Sequence, residues 1–111
     1  MDIAKIMEKE RQVADILGVE VEEDNDSGSW KRVDNGKSFS PAWDYGLALE
    51  VMLESRINLV HQKDDVRFTF MMPDGTPANV LFFSSDFERS VPRTICAAAI
   101  HRAKLLESWN R

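Results

Sequence analysis

Cysteine occurs once in the 111 residues, at Cys96. One thiol closes no internal disulfide, so packing alone must hold the fold. A leading segment with a charged start and an apolar middle is missing too, and the two absences predict a reducing cytoplasm. No apolar run approaches the roughly 20 residues that span a bilayer, so no membrane partner is expected. Histidine occurs only at His61 and His101. Two histidines and one cysteine do not make a spaced metal set, and neither a metal nor a cofactor is expected. Gly-rich phosphate loops, H-E-x-x-H, G-x-S-x-G and C-x-x-C are all absent. Cys96 and His101 lie five positions apart, which turns them away from each other on a helix and disfavours a nucleophile pair. The chain has no catalytic constellation and reads as non-enzymatic. A basic excess is also missing, with 14 Lys+Arg against 19 Asp+Glu and a net charge of -5. A nucleic-acid binder usually carries cations enough to neutralise phosphates, so direct nucleic-acid binding is not expected.

What is present is an ordinary globular balance, 43% hydrophobic and 30% charged, in one domain spanning residues 1–111. The charge is uneven. Residues 1–55 carry 13 acids against 6 bases, a net of -7, whereas residues 56–111 carry 6 against 8, a net of +2. An acidic surface of this kind steers a chain toward a basic patch on another protein.

Periodicity predicts an amphipathic helix over residues 2–17, with Ile3, Ile6, Met7, Val13, Ile16 and Leu17 on one face and Gly18 as its C-terminal cap. Residues 19–38 read as an acidic, loop-rich connection with at most one short strand near Trp30. A second helix should open at Ser40-Pro41 and run to about Ser55. Its interior is apolar almost all round, which predicts burial. Three strands follow, near residues 57–62, 66–72 and 79–83, the last two joined by the turn signal Met72-Pro73-Asp74-Gly75. Asp64-Asp65 marks the other hairpin. Residues 85–90 read as a loop, and a last helix from Pro92 to Trp109 carries three alanines, Ala97 to Ala99, that allow close approach to a sheet. The expected form is α+β: a three-layer α/β/α sandwich, order ααβββα, with a small antiparallel sheet of about three strands between helices.

Two stretches compete as sites. In residues 39–46, FSPAWDYG, Ser40 and Pro41 suit a helix start, with a hydroxyl to accept a freed N–H and a residue with no N–H to lose. Asp44 then sits in the first turn, where the helix dipole favours it. The same stretch could hold a small ligand such as a nucleotide through Trp43, Asp44 and Tyr45, with His101 beside them. The acidic tract Glu20, Glu22, Glu23, Asp24 and Asp26, joined by Asp34, reads as a solvated loop or as a lure for a basic partner. It matches no calcium loop, because no register has Asp first, Gly sixth and Glu twelfth. Cys96 among alanines reads as a small core residue. Arg89, Arg93, Arg102 and Lys104 are the one basic grouping, solvating the last helix or contacting phosphates or acids.

Ser40-Pro41, Asp44 and Tyr45, followed by Ala48 and Glu50-Val51, resemble the Ser-Pro-Ser-Thr-Asp-aromatic helix opening of the phage ABA sandwich domain family. Val91-Pro92-Arg93-Thr94-Ile95-Cys96-Ala97-Ala98-Ala99 is similar to that family's Leu-Pro-x-Ala-Ile-Cys-x-Ala-Ala. Ala42-Trp43 departs from the Ser-Thr pair. The resemblance implies a sheet between helical layers and a phage or prophage origin, hence the cytoplasm of a bacterial host. It implies no activity and no site residues. The leading functional reading is an accessory protein that binds a host or phage protein with a basic surface, such as a CRISPR effector, as a monomer or homodimer. Other readings are a nucleotide-sequestering domain and an assembly protein that self-associates through a sheet edge.

Overall fold

The computed structural model describes residues 3–26, 28–61, 65–83 and 87–109, with backbone alone for 61, 65, 66, 79–83 and 87–90. Among these residues the order is α1 (Ile3–Leu17), β1 (Val21–Asp24), β2 (Ser29–Arg32), β3 (Ser38–Phe39), α2 (Tyr45–Glu54), β4 (Asn58–His61), β5 (Asp65–Met71), β6 (Pro77–Phe83) and α3 (Phe87–Trp109). The chain is thus a mixed α+β protein, with three helices and two antiparallel three-stranded sheets among the described residues. The expected order ααβββα, with one sheet between helical layers, is corrected by the second sheet.

α1 forms as its periodicity requires and ends at Gly18, whose φ of 72° is a conformation side chains resist. The Val19 N–H donates to the Ala14 carbonyl at 2.9 Å and the Gly18 N–H to Asp15 at 3.2 Å, closing a Schellman motif. The largest correction lies at residues 19–38. They form the sheet β1-β2-β3, with Glu23 opposite Trp30 and Trp30 opposite Phe39. Trp30 anchors this sheet to the first helix: its indole N–H donates to the Met7 carbonyl at 2.8 Å. The Asp34-Asn35-Gly36 turn joins β2 to β3.

In the second sheet β5 is central, with Leu59, Phe68 and Val80 in one row. Phe68 and Phe70 are buried on the face that α3 covers, while Met71 on the opposite face is exposed. The predicted apolar cover on both faces of this strand is therefore absent at Met71. The turn after β5 forms as read. The Gly75 N–H donates to the Met72 carbonyl at 2.9 Å with φ at 88°, and the Asp74 carboxylate accepts from the Thr76 N–H and hydroxyl. Gln62, Asp64, Ser85 and Asp86, and the side chains of His61 and Arg89, lie outside the described residues.

The core centres on the middle of α3. Thr94, Ile95, Cys96, Ala98, Ala99 and Ile100 are all buried, against Val13 and Ala14 of α1, Ala48 and Val51 of α2, and Phe39, Ala42, Ile57 and Phe68. The alanine run chiefly brings helices together, since α3 packs more extensively on α2 and α1 than on β5 and β6. It also begins at Phe87, so Pro92 lies inside the helix and not at its first position. Cys96 is the small core residue expected. Burial, reinforced by the Glu10 carboxylate, pushes its thiol up to about 12, which makes it inert. No helix among the described residues is long and apolar enough to cross a membrane.

Candidate functional site

The FSPAWDYG stretch is built differently from its reading. Pro41 and Ala42 are buried, and the Ala42 N–H donates to the Glu10 carboxylate at 3.1 Å. The Ser40 carbonyl accepts from the Trp43 and Asp44 N–H groups at 3.0 and 3.1 Å, which makes a turn and not the first turn of a helix. The helix begins four residues later. Asp44 is its N-cap, with extended backbone and a carboxylate oxygen accepting the Leu47 N–H at 3.0 Å. Asp44 takes the role assigned to Ser40 because residues 41–43 are spent on the turn.

From that start, Ala48, Val51 and Ser55 face inward and are buried. Tyr45, Leu49 and Leu53, four apart and so aligned on one face, are 59%, 49% and 67% exposed. The prediction that α2 is largely buried is corrected: only one side of it meets α3. Trp43, 49% exposed, precedes the stripe, and the Arg93 guanidinium lies 5.5 Å from its ring centroid. Glu50 and Glu54 are exposed on the next flank. There the helix borders a hollow of about 490 Å³ lined by Leu17, Val19, Arg32, Leu47, Leu53 and both glutamates among others. An open apolar helix face, an aromatic–arginine stack and an acidic flank together suit a protein surface.

The acids singled out from sequence do not share one face. Glu22 and Asp24 alternate away from Glu23 along β1. Asp26 lies in the β1–β2 turn, at the far end of β2 from Asp34. Several are internally paired: Lys31 lies 3.6 Å from Glu22, and Arg32 grips Asp34 through two nitrogens at 2.8 and 3.0 Å. That grip holds the Asp34 carboxyl below its ordinary value. Asp24 accepts the Asp26 N–H at 3.0 Å. Glu20, Glu23 and Asp26 remain exposed.

Of the alternative ligand set, Trp43, Asp44 and Tyr45 are neighbours at the start of α2. His101 lies on another surface, in a hollow between α1 and α3 lined by Lys9, Gln12, Ala97, Ile100 and Lys104. Among the described residues no group of three His, Cys, Asp or Glu side chains could hold a metal ion.

Sequence reasoning missed Leu49 and Leu53 as surface residues, and Glu10 as a buried one. For Glu10 a signal existed: it falls three and four positions from Met7, Ile6, Val13 and Ala14, inside the apolar stripe of α1. Compared with models of known families, with curated proteins and with solved structures, the chain matches none.

Proposed function

We propose that the chain is a non-enzymatic binding protein whose α2 face docks a partner protein presenting apolar side chains ringed by basic ones. One observation carries this reading: the aligned, exposed Tyr45, Leu49 and Leu53, bordered by Glu50 and Glu54. Single exposed apolar residues are ordinary, but a contiguous stripe beside an exposed tryptophan is the composition of an interface centre. The acids Glu20, Glu22, Glu23 and Asp26 extend the negative field and draw a basic surface in. The Ser-Pro and Pro-x-x-Ile-Cys-x-Ala-Ala resemblances favour a phage or prophage setting. There the partner would be a host defence protein, such as a CRISPR effector, whose basic channel otherwise holds nucleic acid.

The test uses the immobilised chain as bait in bacterial-host lysate, in three forms: wild type, Leu49→Asp/Leu53→Asp, and a variant with Glu20, Glu22, Glu23 and Asp26 changed to Lys. A protein held by wild type should be lost from the leucine variant, with affinity down roughly 30-fold or more per anchor. The acid-reversed form should bind more slowly but still bind. A partner that ignores the leucine changes, or no bound protein at all, refutes the reading.

A further inference from the structure

The second helix ends as the first does, with one difference. The Arg56 N–H donates to the Leu53 carbonyl at 3.2 Å and the Ile57 N–H to Met52 at 3.0 Å, the two bonds of a Schellman motif. In α1 the left-handed position of this motif is Gly18; here it is Arg56, with φ at 54°. Arg56 is the one non-glycine among the described residues with positive φ. A side chain in that conformation is disfavoured, and glycine would fit better. An arginine standing where the backbone prefers glycine points to a use for its guanidinium.

Arg56, Asn58, Met71 and Arg102 line a hollow of about 360 Å³ where the start of β4 and the end of β5 meet α3. Two guanidiniums and an amide supply donors, and no carboxylate lines it among the described residues. Arg102 is held in place by its position 6.0 Å over the Phe70 ring, and its Nε is buried with no hydrogen-bond partner among the described residues. A buried, unpartnered charged donor is costly unless something accepts from it. Neither arginine makes an ion pair among the described residues. The guanidinium fork matches tetrahedral oxyanions in a bidentate way, and the volume suits a small molecule.

We propose that this hollow is a binding site for a small phosphate-bearing anion, with Arg56 and Arg102 gripping the phosphoryl oxygens and Asn58 donating a further hydrogen bond. The site is distinct from the α2 stripe and does not rest on the partner reading. It also differs in place from the nucleotide site suggested by Trp43, Asp44 and Tyr45.

Calorimetric titration with inorganic phosphate, against chloride at equal ionic strength, tests it. Methyl phosphate in a second arm separates free phosphate from a phosphorylated small molecule; saturable uptake of either supports the site. Arg56→Gly is the informative variant. It should melt at or above the wild-type temperature, because it relieves the left-handed arginine, yet bind phosphate about 10-fold or more weakly. Arg102→Gln should weaken binding similarly, and Lys37→Gln, which removes the same charge elsewhere, should not. No saturable uptake of either anion by wild type overturns the proposal. So does an Arg56→Gly variant that binds as wild type does, or that melts well below it.

Discussion

Glu10 is 1% exposed, sits in the apolar stripe of α1, and accepts the Ala42 N–H that fixes the turn before α2. Burial raises its pKa above the ordinary 4.5, and the Ala42 N–H opposes that shift only in part. A carboxyl raised in this way contributes stability that is fully present below its unfolded value and is lost as pH rises through the folded one. Glu10→Gln keeps an acceptor for Ala42 without the charge. The stability of wild type relative to Glu10→Gln should therefore be highest below pH 4.5 and fall as pH rises above it, with the variant the more stable at pH 7. Urea unfolding of both proteins from pH 3 to 8 checks this; a flat difference curve would show that Glu10 does not titrate in that window. Comparison with the variant is needed because Glu8, Asp34 and Asp74 are shifted downward, by Arg11, Arg32 and Thr76, and lose their contributions on acidification. Glu10→Ala, which leaves the Ala42 N–H without its acceptor, should cost about 1–3 kcal/mol. The position of Glu10 was legible in the spacing of α1. Its role was not, because the acceptor's partner lies 32 residues away.

At the scale of elements, helix existence and the span of α1 were legible, and the starts of α2 and α3 were not. Ser40-Pro41 and Asp44 both satisfy the local chemistry of a start, and only burial of Pro41 and Ala42 decides between them. Asp44→Ala should therefore destabilise the protein by about 1 kcal/mol, whereas Ser40→Ala should stay within about 0.5 kcal/mol, since among the described residues the Ser40 hydroxyl meets only the Ser38 hydroxyl at 3.3 Å. Equilibrium unfolding in urea measures both, and the reverse ranking would return the cap to Ser40. The sheet β1-β2-β3 was obscured because acids are poor strand formers and its strands are only two to four residues long. Alternation at Val19 and Val21 was the available signal; the long-range bond from Trp30 to Met7 was not in the sequence. β4, β5 and β6 were readable because each alternates over enough residues and the Pro-Asp-Gly turn fixes one register. The α2 stripe shows a different limit. An apolar helix surface looks the same in sequence whether it meets the core or a partner, and only the position of α3 tells which side is covered.

For the whole molecule, the net charge of -5 and the excess of acids in residues 1–55 act at a range that the apolar stripe cannot. The two should therefore govern different rate constants. In the proposed complex the field of Glu20, Glu22, Glu23, Asp26, Glu50 and Glu54 would accelerate encounter with a basic partner, and salt would screen it over a Debye length of about 8 Å at physiological ionic strength. The contacts of Tyr45, Leu49 and Leu53, once desolvated, would set how long that complex lasts. With the captured partner in hand, raising salt from about 0.02 to 0.5 M should slow association roughly 10-fold or more while leaving dissociation nearly unchanged. Leu49→Asp/Leu53→Asp should do the opposite, speeding dissociation. Surface-based kinetics on the two proteins resolves the rates separately. If salt acted mainly on dissociation, the acids would be direct contacts at the interface centre, and β1 with its turns would replace α2 as the docking surface. If neither salt nor the leucines mattered, the charge asymmetry would have no part in recognition.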